Sequence, residues 1–318
     1  MMTEAIKTVN LSKKYGELYV VNKLNLSIKR GEIVGFLGLN GAGKTTTMRM
    51  MLGLIKPTSG ECYIQGKKLD LCNLEVQNEI GYIIETPYSY PDLTVRENLE
   101  IISALRGVTN KNNIDWVIEK LKLRKHENKQ VKHLSLGNVA RLGIAKAIVH
   151  KPKILILDEP TNGLDPFGVV EVRELLQELT NNFGTTILIS SHKLEEISKI
   201  ATRIVMIHEG KLIREVESQK LDKYLEKRLL VSGADNMAIK EILSNNGYQV
   251  NLKSSLENDN HYSYLELIGK KYVESPEEIA TLLVNTGHPP KLLIVEKEDL
   301  ESYFFRILSN CSGGISNE

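Results

Sequence analysis

Cysteine is scarce: three in 318 residues (Cys62, Cys72 and Cys311), far apart, with no CxxC pair and no histidine pair beside them. That excludes a disulfide framework and a cysteine-rich zinc site. Long apolar runs are missing too. The longest are four-residue pieces such as 154–157, whereas a membrane-spanning helix needs about 18 apolar residues. Neither sign of charge prevails: 41 Lys and Arg against 40 Asp and Glu leave a net +1. A chain built mainly to neutralise phosphate backbones is therefore not expected, although a local patch remains open. The seven histidines fall at no metal-ligand spacing. Glu4 and Lys7 stand where a signal peptide would need an apolar stretch. What is left, 42% hydrophobic and 25% charged, is the composition of a globular protein with a real core. The expectation is a cytosolic, non-membrane chain of about two domains.

The pattern changes near residue 215. Residues 33–37 are a short apolar run ending in a glycine loop, and a helix pattern follows over 44–54. Such strand–loop–helix units predict a mostly parallel sheet with helices on its faces. Residues 153–157 and 186–190 suit buried strands, and 169–180 has helical spacing. Residues 204–208, Glu209-Gly210 and 211–213 read as a hairpin with a tight turn. A charged helical stretch over 218–227, exposed on all sides, is expected as a connector. Beyond it come a strand at 229–232, a helix at 238–243 and strands at 248–252 and 262–268 around a polar loop, 254–260. A helix at 277–284, a strand at 292–295 and a helix at 300–308 complete a β-α-β-β-α-β order plus a helix. That order predicts a ferredoxin-like split fold, with the polar tail 309–318 frayed.

Three segments carry chemistry. GLNGAGKT, from Gly38 to Thr45, matches GxxxxGK[ST] between an apolar strand and a helix. The glycines let backbone N–H groups turn toward a phosphate chain, and the following helix adds its positive end. Lys44 supplies charge for the β- and γ-phosphates, and the Thr45 hydroxyl suits Mg²⁺. Asp158 and Glu159 close the apolar run 154–157, where ligands bind in an open α/β sheet. Asp158 would hold Mg²⁺ through water, and Glu159 would orient and deprotonate an attacking water. In LSLGN, Ser135 suits a helix cap, and with Gly137 it would offer N–H groups to an anion.

Together and in this order, these segments resemble the nucleotide-binding subunits of ATP-binding-cassette (ABC) transporters over residues 3–215. Asn162-Gly-Leu-Asp165 stands at the family's D-loop and Ser191-His192 at its switch histidine. Tyr15, in Lys-Lys-Tyr-Gly, stands at the aromatic that stacks on adenine, and LSLGN at the LSGGQ signature. The resemblance implies an α/β P-loop cassette over 1–215, a mixed sheet with a helical subdomain, and an accessory α/β domain over 216–318. It implies Glu159, His192 and Lys44 as catalytic residues. Tyr15, Gly38, Asn40, Gly41, Ala42, Gly43, Lys44, Thr45 and Thr46, with Ser135, Gly137 and Asp165, would contact ATP. Thr45, Glu85 and Asp158 would hold Mg²⁺. A head-to-tail homodimer is also implied, each nucleotide lying between one subunit's phosphate loop and the other's signature.

Two departures matter. Glu85 stands where the family usually has glutamine, near Mg²⁺ and the permease contact, so it adds a negative charge by the γ-phosphate. In the signature, Leu136 replaces a glycine and Asn138 a glutamine. With Thr86-Pro-Tyr and the segment 93–99, these features resemble the bacitracin-resistance and lantibiotic-immunity branch, whose ATPases energise separately encoded permeases at the cytoplasmic face of the membrane. The alternatives are a soluble ABC ATPase acting on nucleic acid or ribosomes, and a sensing module with a structural ATP site. Such nucleic-acid ATPases usually carry two cassettes or a long coiled-coil insertion, and this chain has neither. The retained Lys44, Asp158, Glu159 and His192 speak against a dead site. The basic run 120–133 lacks interleaved aromatics and reads as a solvated helix face. Trp116 is expected in the core of the helical subdomain.

Overall fold

The computed structural model describes residues 4–69, 77–85, 88–110, 112–191, 194–257 and 260–312. The chain divides into two compact units, Met1–Gln219 and Lys220–Glu318.

The first unit holds strands β1 (Glu4–Tyr15), β2 (Leu18–Lys29), β3 (Ile33–Leu37), β4 (Ser59–Ile64), β5 (Lys67–Lys68), β6 (Ile80–Ile83), β7 (Ile154–Asp158), β8 (Thr186–Ser191), β9 (Arg203–His208) and β10 (Lys211–Glu217). Its helices are α1 (Lys44–Met51), α2 (Val95–Leu105), α3 (Asn112–Lys120), α4 (Leu136–Ile148), α5 (Pro166–Phe183) and α6 (Leu194–Ser198). One sheet runs β10-β9-β3-β8-β7-β6. Its strands from β9 to β6 are parallel, and β10 is an antiparallel edge. Every residue of β3, β7 and β8 is buried, which is why these strands read as unbroken apolar runs. The β9–β10 turn has positive φ at both Glu209 (46°) and Gly210 (73°), as a tight hairpin requires.

The second sheet, β2-β1-β4-β5, is antiparallel and was not anticipated. Its two twelve-residue strands lose the period-two pattern because their pairing shifts register between Thr8 and Leu11 and again between Leu11 and Lys13. Asn10 and Lys23 take positive φ there (47° and 49°). Each bulge moves the following side chains to the other face.

Local signals set the helix ends. α5 starts behind Asp165, whose Oδ1 accepts from the Gly168 N–H at 2.9 Å, with Pro166 next, and it stops at Gly184, φ 66°. α1 ends at Met51, three residues before the expected Leu54. Residues 120–133 are not a helix face: α3 ends at Lys120, and short 3₁₀ turns follow at Arg124–His126 and Val131–His133. Lys120, Lys122 and Lys132 pair with Glu178, Glu171 and Asp92. Trp116 is only half-buried, edge-on to Phe183; Ile114, Val117 and Ile118 fill the core instead. Burial and the nearby Arg106 push the His150 imidazole down to about 4, so it packs as a neutral ring.

In the second unit β11 (Lys227–Ser232), α7 (Asn236–Asn245), β12 (Asn251–Glu257), β13 (Asn260–Ile268), α8 (Lys270–Glu274), α9 (Pro276–Asn285), β14 (Leu292–Lys297) and α10 (Leu300–Ser312) follow in order. The sheet order is β12-β13-β11-β14, all antiparallel. Each βαβ crossover therefore skips one strand, which is the split ferredoxin-like arrangement. Leu229, Val231, Ile239, Leu243, Leu265 and Leu267 build its core.

Three expectations are corrected. Residues 218–227 are not one exposed helix: a 3₁₀ turn covers Ser218–Lys223, its Leu221 is buried, and Lys227 already belongs to β11. The polar loop 254–260 is mostly strand, with Ser254 opposite Ser263 and Glu257 opposite Asn260. Polar residues suit such an edge strand, so polarity misled there. The tail is helical through Ser312; residues 313–318 lie outside the described residues.

Candidate active site

Three segments converge at the carboxyl ends of three adjacent parallel strands, β3, β8 and β7. β3 runs into the phosphate loop. Gly41 (φ 80°) and Gly43 (φ 99°) turn it, and a Cβ on Gly43 would stand 2.5 Å from the Val20 carbonyl oxygen. Any side chain at that position would therefore break the loop. Gly38 is needed for another reason: its missing Cβ would stand 2.5 Å from the Ile207 carbonyl oxygen. The Gly210 N–H donates to the Ala42 carbonyl at 3.0 Å, so the β9–β10 hairpin buttresses the loop from below.

Lys44 opens α1 and is buried. Its ammonium donates to the carbonyls of Gly38 (2.6 Å) and Leu39 (3.2 Å). Burial pushes it below the usual lysine value, while Glu159 and Asp158 pull the other way. The Thr45 hydroxyl donates to Asp158 Oδ2 at 2.6 Å. Asp158 is itself buried at the end of β7, and its Oδ1 accepts from the Ser190 hydroxyl at 2.5 Å.

Ser190 is the residue that sequence reading missed. It stands opposite Asp158 in the β7–β8 register, and its Oγ also accepts from the Glu159 N–H at 3.2 Å. Glu159 sits in the left-handed region (φ 50°), an uncommon backbone for glutamate that aims it away from the strand. A cleft of about 470 Å³ is lined by Thr45, Glu85, Leu136, Asp158, Glu159 and Asn162, among others.

The other expected residues are placed as follows. Glu85 follows β6, also with positive φ (61°), and its Oε1 is 2.5 Å from the Arg49 guanidinium. Tyr15 ends β1, half exposed at 52%, with the Lys13 ammonium 5.0 Å from its ring centroid. Asn40 is exposed beside Gly41, and Thr46 is half-buried in α1. Ser135 caps α4, accepting from the Asn138 N–H at 3.4 Å. Gly137 faces the Gly163 carbonyl. Asp165 is engaged in capping α5. Ser135, Gly137 and Asp165 are not among the groups lining the cleft that holds Thr45 and Asp158. His192 lies outside the described residues. Among the described residues no cluster of three or more His, Cys, Asp or Glu could hold a metal by itself. A hydroxyl and a carboxylate locked together beside a phosphate loop form a hard-oxygen site of the kind that shares Mg²⁺ with a nucleotide.

Known proteins agree with this geometry. The family profile described as ABC transporter matches residues 21–162. The bacitracin transport ATP-binding protein BcrA of Bacillus licheniformis is 41% identical over 96% of this chain and 98% of its own length. The lantibiotic transport ATP-binding protein SrtF of Streptococcus pyogenes is 39% identical over 71% of this chain and 97% of its own length. Among solved structures, a dimeric bacterial ABC transporter cassette superposes with a TM-score of 0.61 at 30% identity, covering 67% of this chain and 98% of that one. The same cassette is also known in a post-hydrolysis state bound to ADP and Pi. No helix among the described residues is long and apolar enough to cross a membrane. This chain belongs to the ATP-hydrolysing, nucleotide-binding subunits of ABC transporters.

Proposed function

We propose that this chain hydrolyses ATP to energise a separately encoded membrane permease that exports, or confers immunity to, bacitracin- and lantibiotic-like peptide antibiotics. One observation carries the coupling part. α1 begins in the phosphate loop, and just beyond its end at Met51, Leu52 and Leu54 line a groove of about 280 Å³ shared with Tyr82, Ile102 and Leu105. Leu54, Tyr82 and Leu105 are 51%, 40% and 75% exposed, an apolar patch suited to a partner. The permease would dock there, holding the ATPase at the cytoplasmic face of the membrane.

In the mechanism, Lys44 binds the β- and γ-phosphate oxygens and Tyr15 stacks on adenine. Thr45 and Asp158, with Glu85 on the cleft wall, would hold Mg²⁺, which when bound offsets the phosphate charge. Glu159 accepts a proton from water as its oxygen attacks the γ-phosphorus. The bond to the bridging oxygen of ADP then breaks. The resemblance assigns His192 the role of the switch histidine. Ser135, Gly137 and Asp165 act on the nucleotide of a second copy. Leu136 and Phe167, each 80% exposed, support a head-to-tail homodimer that would cover them.

Co-purification from membranes with a permease, together with peptide resistance in cells, tests this reading. A soluble ATPase with no membrane partner and no effect on resistance would overturn it. Glu85→Gln is expected to leave the isolated subunit's ATPase within about a few-fold, since amide and carboxylate share shape, and to change resistance in cells. Collapse of ATPase with resistance unchanged would make Glu85 purely catalytic.

Residues 220–318 serve as an accessory domain that stabilises the dimer or contacts the permease or a regulator. They have their own core. Truncation after Gln219 is expected to give a soluble ATPase with reduced resistance. Insoluble protein would mean the two units depend on each other to fold. Full resistance would make the domain dispensable.

A further inference from the structure

The cleft is lined by three carboxylates, Glu85, Asp158 and Glu159, and among the described residues no cation lines it. Lys44 lies buried at its edge, with its ammonium turned onto the loop carbonyls. Among the described residues one lysine stands against three carboxylates, an unfavourable balance for receiving a polyphosphate. Asp158 is neutralised in part by the hydroxyls of Thr45 and Ser190. Glu85 receives no such help from the cleft residues. Its partner comes from α1: Arg49 reaches it from the last turn, one turn beyond the phosphate-loop lysine on the same helix.

The pair is too exposed, at 35% for Arg49 and 63% for Glu85, to matter much for stability. Its consequence is electrostatic and positional. It fixes a carboxylate that sits on a left-handed backbone, and it cancels that group's charge where phosphates must enter. It also ties the residue leaving β6 to the helix that starts at the phosphates.

We propose that Arg49 is a positioning residue for Glu85: it holds the Glu85 carboxylate against α1 and balances its charge, so that a glutamate is compatible with nucleotide binding at this position. The inference rests on the cleft being the nucleotide site. If that reading fails, the unaltered protein binds no nucleotide; if only the present one fails, binding is normal but the dependence described next is absent.

The test is a double-mutant cycle read by binding of a fluorescent ATP analogue in EDTA, so that neither hydrolysis nor Mg²⁺ enters. Arg49→Gln is expected to weaken binding about three- to tenfold, as an uncancelled charge in a partly hydrated cleft should. The same substitution in the Glu85→Gln background is expected to change binding by less than about twofold, because there is no charge left to cancel. Arg49→Lys, which keeps the charge, should restore most of the loss. An equal penalty in both backgrounds overturns the proposal, since Arg49 would then be supporting α1 or touching nucleotide itself. So does the absence of any penalty. If Arg49→Gln fails to fold, Arg49→Met, which keeps the apolar stem on α1 and drops the charge, takes its place in the same cycle, and an equal penalty in both backgrounds again overturns the proposal.

Discussion

Glu159→Gln is expected to abolish steady-state turnover while ATP still binds, and to trap a nucleotide-bound dimer. A positioned general base contributes about 10²- to 10⁴-fold, and the amide cannot accept the proton from water. The binding groups are untouched: Lys44 stays on the loop, and the Thr45–Asp158–Ser190 chain of hydrogen bonds does not involve the Glu159 side chain. The backbone that aims residue 159 is held by its N–H, shared between the Ser190 carbonyl and hydroxyl at 3.3 and 3.2 Å, and glutamine leaves that intact. With phosphate contacts kept and hydrolysis blocked, the closed dimer has no exit. Phosphate release and size-exclusion chromatography with ATP are the measurements. An unchanged kcat would remove Glu159 from the mechanism. A second consequence follows from charge. Glu159 is one of the two carboxylates that pull the buried Lys44 ammonium upward. Without it Lys44 loses its proton at a lower pH, so the alkaline limit of ATP binding should move down in the variant.

The parts of this site that were legible in the sequence are those carried by consecutive residues. The phosphate loop has fixed spacing because one short turn must present several N–H groups at once. The Asp158–Glu159 pair is visible because a fully buried parallel strand makes an apolar run, against which two acids stand out. Ser190 had no such signal. It meets Asp158 only through the β7–β8 register, 32 residues away, and a serine ending a strand is unremarkable by itself. Arg49 and Glu85 are 36 residues apart and exposed, so no pattern links them before the fold does. Glu85 was visible only as a departure from a family habit. The same division holds in the fold. Among the unbulged central strands, β3 was placed to the residue and β7 and β8 to within one residue at each end, whereas β1 and β2 escaped because their bulges scramble the alternation. Asp165, expected from the sequence to contact nucleotide, is within one chain the cap of a helix.

Lys44→Ala is expected to weaken ATP binding and hydrolysis together, in contrast to Glu159→Gln. Two losses combine. The first is direct: the charged contact to the β- and γ-phosphates disappears, and hydrogen bonds to charged groups are worth about 1.5–3 kcal/mol, or roughly ten- to a hundredfold in affinity. The second acts through the loop. The ammonium is the donor seen on the carbonyls of Gly38 and Leu39. Removing it leaves the Gly38 oxygen in a buried place where close packing against Ile207 bars adjustment. An acceptor stranded in this way costs about 1–3 kcal/mol, and the loop that must wrap the phosphates loses part of its preset shape. ATP affinity and kcat measured on the same preparation should both fall, with the melting temperature lowered by only about a few degrees, because the surrounding β3 and α1 core keeps its apolar contacts. If affinity held while only kcat fell, Lys44 would act on the transition state alone, and the bent loop would be bound by its backbone N–H groups without the lysine's help.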